Sequence, residues 1–197
     1  MMCCVIVVAM KILLHENERR IMAKDEIVLG GGCFWCLEAV FQETRGVLVV
    51  ESGHSGGRTN NPTYDDVCSG RTGHAEVIRI EFDTGLIQLR DLLEIFFTMH
   101  DPTTLNRQGN DVGTQYRSVL YFHNQAQEVI AHQVIAEMAN VWDAPIVTEL
   151  AALSVFYKAE DYHQNYFRQH AEKGYCAMVV APKVAKFRKI FVDKCKV

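Results

Sequence analysis

Apolar runs and alternating apolar and polar positions divide the chain into short predicted elements. The run EIVLGG at residues 26–31 predicts a buried strand, and its glycines permit a tight turn into a helix over residues 33–42. Apolar residues alternate with charged ones over residues 78–82, which is typical of a half-buried strand. The remaining predicted elements are strands at 47–53, 118–122 and 146–149, and helices at 88–99, 124–141 and 159–171.

The order of these elements predicts the fold class. Strand–helix–strand–strand–helix–strand fits an α+β two-layer sandwich with a ferredoxin-like split βαβ core, long loops and C-terminal additions. Two predicted loops, at about residues 54–74 and 101–115, are long and polar. Because long loops on a compact domain usually carry function, we expect the site on these loops and at the start of the first helix.

The composition is that of an ordinary globular protein, with 49% hydrophobic and 22% charged residues. The net charge of −4 leaves no basic excess for phosphate groups, so we expect no nucleic-acid partner. The seven cysteines cannot all pair within the chain, and 197 residues need no disulfide scaffold. We therefore expect a reducing compartment, the cytoplasm, with one or two functional thiols. We also expect a monomer.

The first 14 residues, MMCCVIVVAMKILL, are mostly apolar but differ from a membrane anchor. Lys11 interrupts the run, which is too short to span a bilayer, and no basic segment precedes it as in a secretory signal. Met22 begins MAKDEIVLGGG, which is typical of a natural start. We expect residues 1–21 to be a dispensable N-terminal extension, disordered or upstream of the natural start. Residues 22–197 are then a single catalytic domain with no membrane partner.

Cys33 combines two features of a nucleophilic thiol. It follows three glycines and opens a predicted helix, whose N-terminus carries unpaired N–H groups and a partial positive charge. Both features stabilise a thiolate, so we predict that Cys33 is a nucleophile with a lowered pKa. Cys36 lies on the same helix face, where the pair suits a disulfide or half of a zinc site.

Two alternative functions follow from this pair of thiols. A thioredoxin-like oxidoreductase would use Cys33 and Cys36 as its Cys-x-x-Cys dithiol. A zinc-bound interaction module would need two further ligands, and the sequence has no second Cys-x-x-Cys and no His-x₃₋₅-His pair to supply them.

Four motifs, in this order along the chain, resemble those of one enzyme family. GCFWC is followed by SGGRTNNPTYDDVCSGRTGHAEV, then by RQGNDVGTQYRS and FYKAEDYHQNY. The chain is thereby similar to the A-class peptide methionine sulfoxide reductases from about residue 26 to residue 191. The resemblance implies thiol-dependent reduction of the S epimer of methionine sulfoxide, free or in proteins, as a repair of oxidised proteins. It implies no cofactor, with thioredoxin or another dithiol as the reducing partner.

The resemblance implies a role for each of four residues. Cys33 attacks the sulfoxide sulfur and becomes a sulfenic acid while methionine leaves. Glu76, in GHAEV, is the acid that protonates the departing oxygen, a task that suits a partly buried carboxyl that keeps its proton. Tyr116, in GTQYRS, donates a hydrogen bond to that oxygen, and Asp111, in GNDVGT, orders the same site.

Three further residues are expected to bind the substrate. Phe34 and Trp35 suit either core packing or the wall of an apolar pocket, and the resemblance implies a pocket for the substrate methyl group. His54 stands in Gly-His-Ser-Gly-Gly, where the family usually has a Tyr that also donates to the sulfoxide oxygen. We expect His54 to take this role, because an imidazole can donate a hydrogen bond.

The cysteine that resolves the sulfenic acid stays open at this point. Cys176, in Lys-Gly-Tyr-Cys, resembles the C-terminal resolving cysteine of many relatives, and we favour it. Cys36 is the second candidate because it shares a helix face with Cys33, and Cys195, in a basic tail, is the third. Cys68 matches a family position without a catalytic role, so we expect it to be buried. Neither alternative function accounts for the acid, the Asp and the Tyr together.

Overall fold

A computed structural model describes residues 23–196. The extension predicted at residues 1–21 lies outside the described residues. The strands are β1 (Lys24–Gly30), β2 (Val47–Ser55), β3 (Ala75–Asp83), β4 (Arg107–Gln108), β5 (Asp111–Val112), β6 (Val119–Phe122), β7 (Glu149–Ala152) and β8 (Phe156–Lys158). The α-helices are α1 (Phe34–Gln42), α2 (Tyr64–Cys68), α3 (Leu89–Met99), α4 (Gln125–Met138), α5 (Tyr166–Gln169) and α6 (Ala181–Ile190).

Six of these strands form one sheet in the order β7-β6-β1-β3-β2-β8, and β4 pairs with β5 in a separate hairpin. Neighbouring strands of the sheet are antiparallel except β6 and β7, which are parallel. The central strand β1 is buried on both faces, which explains its unbroken apolar run. The predicted strands at 26–31, 78–82 and 118–122 are thereby confirmed as β1, β3 and β6.

The main core lies on one face of the sheet. Ile27 and Leu29 of β1 point to this face, where α1, α3 and α6 pack through their apolar sides. Val28, with the opposite orientation, belongs to a smaller cluster that residues such as Tyr121 and Phe156 complete on the other face. The α+β class is confirmed by this arrangement of a mixed sheet with helices. Among the described helices none is long and apolar enough to cross a membrane.

The segment after β8 differs most from its prediction. A helix over residues 159–171 is wrong, because this stretch contains a 3₁₀ turn at Asp161–His163 and the four-residue helix α5. Asn165 lies between these two elements and has a left-handed backbone conformation with φ 54°, which interrupts a right-handed helix. Helix α6 was not predicted, although Pro182 lies in its first turn, where proline is favoured.

The predicted loop at residues 54–74 also contains regular structure. Strand β2 continues to Ser55, and α2 begins after Thr63. The Thr63 side chain accepts a hydrogen bond from the N–H of Asp66, and the Asp66 carboxylate accepts one from the N–H of Thr63. This capping box lets a five-residue helix form in an otherwise polar loop. The position of α2 brings its first residue, Tyr64, to the end of the sheet where β1 is followed by α1.

Candidate active site

Cys33 lies in the turn between β1 and α1. Gly30 ends β1 so close to β3 that a Cβ atom there would lie 2.6 Å from the carbonyl oxygen of Glu76. Gly32 has φ 90°, a conformation that favours glycine. Cys33 then caps α1, its carbonyl oxygen accepting from the N–H of Cys36 at 3.1 Å. Cys33 is 8% exposed, so its thiol borders solvent only narrowly.

Glu76 comes from the neighbouring strand β3 and lies directly at this turn. Its Oε2 accepts a hydrogen bond from the backbone N–H of Phe34 at 3.1 Å, while its Oε1 has no partner among the described residues. Burial raises the pKa of Glu76 to about 8, against the effect of the Phe34 N–H, and the charges of Asp111 and Cys36 add to the rise. Glu76 therefore holds a proton at neutral pH.

The prediction of a lowered pKa for Cys33 is wrong for the protein without substrate. Burial raises the pKa of Cys33, and its hydrogen bond with Cys36 and the charge of Glu76 raise it further. The pKa of Cys36 is lowered to about 7, chiefly because it accepts the hydrogen bond from Cys33. Desolvation of a buried thiolate outweighs the partial charge of one helix terminus. The two thiols therefore titrate as a coupled pair in which the thiolate is favoured on Cys36.

A tyrosine that the sequence did not single out connects this pair to the C-terminal segment. The hydroxyl of Tyr175 donates to Asp111 Oδ2 at 2.8 Å and lies 3.9 Å from the Sγ of Cys36. The next residue, Cys176, is fully buried and begins a π-helical stretch, Cys176–Val180. Asp111 is thus fixed next to the thiol pair by a residue of the Gly-Tyr-Cys motif. That motif was the only signal for Tyr175.

Phe34 is the centre of an aromatic cluster beside Cys33. Its ring centroid lies 6.0 Å from Trp35, 5.8 Å from His54, 6.2 Å from Tyr64 and 5.2 Å from His163. His54 is fully buried, and neither of its ring nitrogens has a partner among the described residues. Burial lowers the pKa of His54 to about 4, so the ring is neutral at physiological pH.

Tyr64 is the second residue that sequence reasoning missed. It stacks on Phe34 and contacts the His163 ring at 4.3 Å between centroids. Burial raises the pKa of Tyr64 and of Tyr116, and the charge of Glu76 contributes to both rises. Both phenols therefore keep their protons and lie near the same carboxyl. Tyr64 belongs to the NPTYDD segment, and no spacing rule distinguished it there from a loop residue.

The comparisons with known proteins agree with one another. The model of the family described as "Peptide methionine sulfoxide reductase" matches residues 25–195. The chain belongs to the peptide methionine sulfoxide reductase family. A relative from Saccharolobus solfataricus, "Peptide methionine sulfoxide reductase MsrA", is 55% identical over 169 residues, which cover 86% of this chain and 96% of the relative.

Solved structures of reductases from this family resemble the fold. Mxr1 from Saccharomyces cerevisiae in reduced form is 33% identical with a TM-score of 0.73, covering 78% of this chain and 89% of that chain. Mxr1 in complex with Trx2 is 25% identical with a TM-score of 0.52, covering 71% of this chain and 84% of that chain.

Two of the cysteines of this reductase lie away from the Cys33 turn. Cys195 forms an isolated bridge with Thr44, just beyond the end of α1, and its Sγ lies 3.3 Å from the carbonyl oxygen of Phe191. Because α1 has nine residues and is about 13 Å long, Cys195 lies at the opposite end of the helix from Cys33. Cys68 is exposed, so the prediction of its burial is wrong; in α2 only Val67 is buried.

The remaining residues predicted from the sequence are brought together at one end of the sheet. They are Cys33, Cys36, Phe34, Trp35, His54, Glu76, Asp111, Tyr116 and Cys176. Within residues 23–196, no three His, Cys, Asp or Glu side chains are grouped as a metal ion would require. For this reductase the arrangement supplies a thiol pair, a protonated carboxyl and two phenolic donors around one apolar cluster.

Proposed function

We propose that this protein reduces the S epimer of methionine sulfoxide, free and in proteins, to methionine, and so repairs oxidised proteins. The observation that carries the proposal is the buried, protonated Glu76, hydrogen-bonded to the N–H of the residue that follows Cys33. Oxygen leaves a sulfoxide only when it is protonated, and this carboxyl holds the required proton next to the required thiol. The family of the chain acts on this substrate class.

The reaction begins with attack of the Cys33 sulfur on the sulfoxide sulfur. The Cys36 thiol, which has the lower pKa of the pair, reacts as the thiolate and takes the Cys33 proton. Glu76 gives its proton to the sulfoxide oxygen while Tyr64 and Tyr116 donate hydrogen bonds to it. In the resulting adduct the protonated oxygen moves from the substrate sulfur to the Cys33 sulfur. The substrate sulfur–oxygen bond and the bond between the two sulfurs both break, methionine leaves with the electron pair, and Cys33 holds the oxygen as a sulfenic acid.

Phe34 and Trp35 are proposed to form the pocket for the substrate methyl group. The contact between the rings of Phe34 and His54 supports a place for His54 in the wall of this pocket. A buried, neutral imidazole with two unpartnered nitrogens can still donate one hydrogen bond toward a substrate. Asp111 is proposed to order the site through Tyr175.

We propose Cys36 as the first resolving thiol. Cys36 lies in the first turn of α1, where its backbone N–H bonds to the carbonyl oxygen of Cys33 at 3.1 Å, and the two thiols shift each other's pKa in opposite directions. Cys176 instead has Cys36 as its neighbouring thiol, whose charge helps to raise the pKa of Cys176. The Cys36 thiol attacks the Cys33 sulfenic acid, forming a disulfide and releasing water. The Cys176 thiolate then attacks the Cys36 sulfur of this disulfide. A Cys36–Cys176 disulfide forms, and Cys33 leaves as a free thiolate. Cys195 is the more distant candidate.

Thioredoxin or another dithiol is proposed to reduce the resulting disulfide, with no cofactor. The complex of Mxr1 with the thioredoxin Trx2 supports this partner. We propose a cytoplasmic location, because seven cysteines cannot all pair and a chain of this length needs no disulfide scaffold. We also propose a monomer that binds neither nucleic acid nor membrane, with residues 22–197 as its single domain.

The core of the fold is proposed to be a ferredoxin-like split βαβ unit. The antiparallel strand order β6-β1-β3-β2 supports this proposal. The helix positions support it too, because α1 connects β1 to β2 and α3 follows β3 on the way to β6.

The function is tested by steady-state reduction of the separate S and R epimers with thioredoxin as reductant. The wild type should reduce the S epimer, and Cys33→Ser should abolish turnover, while Cys68→Ser, at an exposed cysteine outside the mechanism, should retain it. Activity retained by Cys33→Ser would refute the mechanism. Reduction of insulin disulfides without sulfoxide turnover would favour the thioredoxin-like alternative.

A further inference from the structure

Glu38 is a buried acidic residue that the proposed reaction does not use. It lies on α1 and is 1% exposed. Its Oε1 accepts a hydrogen bond from the backbone N–H of Asn165 at 2.7 Å, and its Oε2 accepts one from the N–H of Tyr166 at 3.1 Å. Burial raises the pKa of Glu38, while these two N–H groups and the guanidinium of Arg168 oppose the rise. The carboxylate therefore joins the first helix to the start of α5.

The turn that Glu38 holds has a strained backbone. Asn165 has φ 54°, a left-handed conformation that needs support from its surroundings. Gln42, one helical turn after Glu38, supplies a third contact, its Nε2 donating to Asn165 Oδ1 at 2.8 Å. Two side chains on one face of α1 thus determine the conformation of this turn. The direction in which Tyr166 leaves the turn follows from that conformation.

Tyr166 in turn fixes the indole of Trp35. The two rings are stacked with centroids 3.7 Å apart and an interplanar angle of 6°. The Nε1 of Trp35 has no hydrogen-bond partner among the described residues, so packing alone holds the ring. The other aromatic neighbours of the indole lie farther away, at 6.0 Å for Phe34, 6.0 Å for Tyr175 and 5.6 Å for His163. Tyr166 is therefore the contact on which the orientation of Trp35 depends most.

We propose that Glu38 is a positioning residue that fixes Tyr166 against Trp35 and thereby limits the size of the alkyl group that the sulfoxide substrate can carry. The inference rests on the proposed function, which places Trp35 in the wall of the methyl pocket. A rigid indole leaves room for a methyl group, whereas an indole free to tilt admits a longer alkyl group. Glu38 does not touch the substrate and acts only through the turn and the ring stack.

The test compares Glu38→Gln with Glu43→Gln. A glutamine at 38 accepts a hydrogen bond from one N–H but turns its NH₂ group toward the other. The side chain of Glu43, the residue just after α1, bonds only to the Arg188 side chain among the described residues. We measure kcat/KM for the S epimers of methionine sulfoxide and of its S-ethyl homologue. Glu38→Gln should raise the ethyl-to-methyl ratio about tenfold, mainly through KM, because one methylene in an apolar pocket is worth about that factor. Glu43→Gln should leave the ratio unchanged.

A second pair of variants tests the route through Tyr166. Tyr166→Ala should reproduce the change in ratio, and adding Glu38→Gln should not change it further, because both remove the same contact. Tyr166→Phe keeps the stacked ring and should keep the wild-type ratio. An unchanged ratio in Tyr166→Ala, or an equal loss for both substrates in Glu38→Gln, would overturn the proposal. Tyr166→Ala alone decides the matter if Glu38→Gln does not fold.

A spectroscopic readout separates this inference from the proposed function. The chain has two tryptophans, so Trp142→Phe leaves Trp35 as the only indole. In that background Glu38→Gln should reduce the near-ultraviolet circular dichroism of Trp35, even if the protein reduced no sulfoxide. A spectrum identical to that of the parent protein would refute the positioning role. Failure of the wild type to reduce either substrate would instead refute the proposed function.

Discussion

Glu76 accepts a hydrogen bond from the backbone N–H of Phe34 at 3.1 Å, although the two residues lie 42 positions apart in the chain. The pairing of β1 with β3 brings them together, because β3 begins where β1 turns into α1. The acid and the thiol are thus held by backbone elements and not by flexible side chains. This geometry makes the protonation state of Glu76 the property that the first experiments should examine.

Glu76→Gln should lower kcat/KM about 10²-fold or more, because the amide cannot supply a proton to the sulfoxide oxygen. Since the pKa of Glu76 is raised to about 8, the wild-type rate should fall as the pH rises through that value. The measurement is a pH profile of kcat/KM. Glu81→Gln, on the same strand but paired with Lys24 at the surface, is the matched control and should keep the wild-type profile. A wild-type rate that still increases above pH 9 would contradict the acid role.

The same carboxyl should make stability depend on pH. Its folded pKa of about 8 lies above the ordinary value of 4.5, so the folded state retains a proton that the unfolded state loses. The contribution of Glu76 to the free energy of unfolding is therefore fully present below pH 4.5. This contribution falls as the pH rises from 4.5 toward 8, by at most about 1.4 kcal/mol per pH unit. The measurement is urea unfolding of the wild type and of Glu76→Gln at several pH values. As the pH rises, the free energy of unfolding of the wild type should fall relative to that of the variant. Parallel curves would contradict the raised pKa.

The sequence predicts the central elements well because their patterns are local. The apolar run of β1, the alternation in β3 and the helical spacing of α1 each follow from burial on a face that the element itself defines. The segment 156–170 could not be predicted in this way. Its conformation depends on Glu38, more than a hundred residues earlier, which binds the turn at Asn165.

The candidate site shows the same division between local and non-local information. The motif around Cys33 predicts a thiol at a helix start, and the structure places it there. It does not reveal how deeply the thiol is buried, so the predicted direction of the Cys33 pKa was wrong. Tyr64 and Tyr175 were missed because each contacts the site only through the packing of a separate segment.

Tyr64→Phe and Tyr116→Phe should each lower kcat/KM, by about 10²-fold, if both phenols donate to the sulfoxide oxygen in the transition state. The double variant should lose more than either single variant. Tyr162→Phe is a suitable control, since Tyr162 is 61% exposed and its hydroxyl has no proposed role. Steady-state kinetics with the S epimer measures these effects. Wild-type kinetics in Tyr64→Phe would remove this residue from the proposed site.

His54→Ala should lower kcat/KM several-fold and also lower stability, because it opens a cavity behind Phe34. His54→Tyr should keep or raise activity, since a phenol also fills this space and donates a hydrogen bond. Steady-state kinetics and thermal unfolding of both variants check the prediction. Equal kcat/KM for all three proteins would show that His54 plays no part in the reaction.

The order in which the cysteines react can be determined from the products of a reaction with substrate but without reductant. Cys176→Ser should release about one equivalent of methionine and accumulate a Cys33–Cys36 disulfide, because the first resolving thiol is still present. Cys36→Ser should instead accumulate the Cys33 sulfenic acid, more slowly than the wild type forms it because the thiolate that takes the Cys33 proton is also lost. A dione reagent traps this sulfenic acid, and mass spectrometry of peptides locates it. Cys68→Ser, at an exposed cysteine outside the mechanism, should behave as the wild type. The reverse pattern, with a sulfenic acid in Cys176→Ser and a disulfide in Cys36→Ser, would make Cys176 the first partner of Cys33.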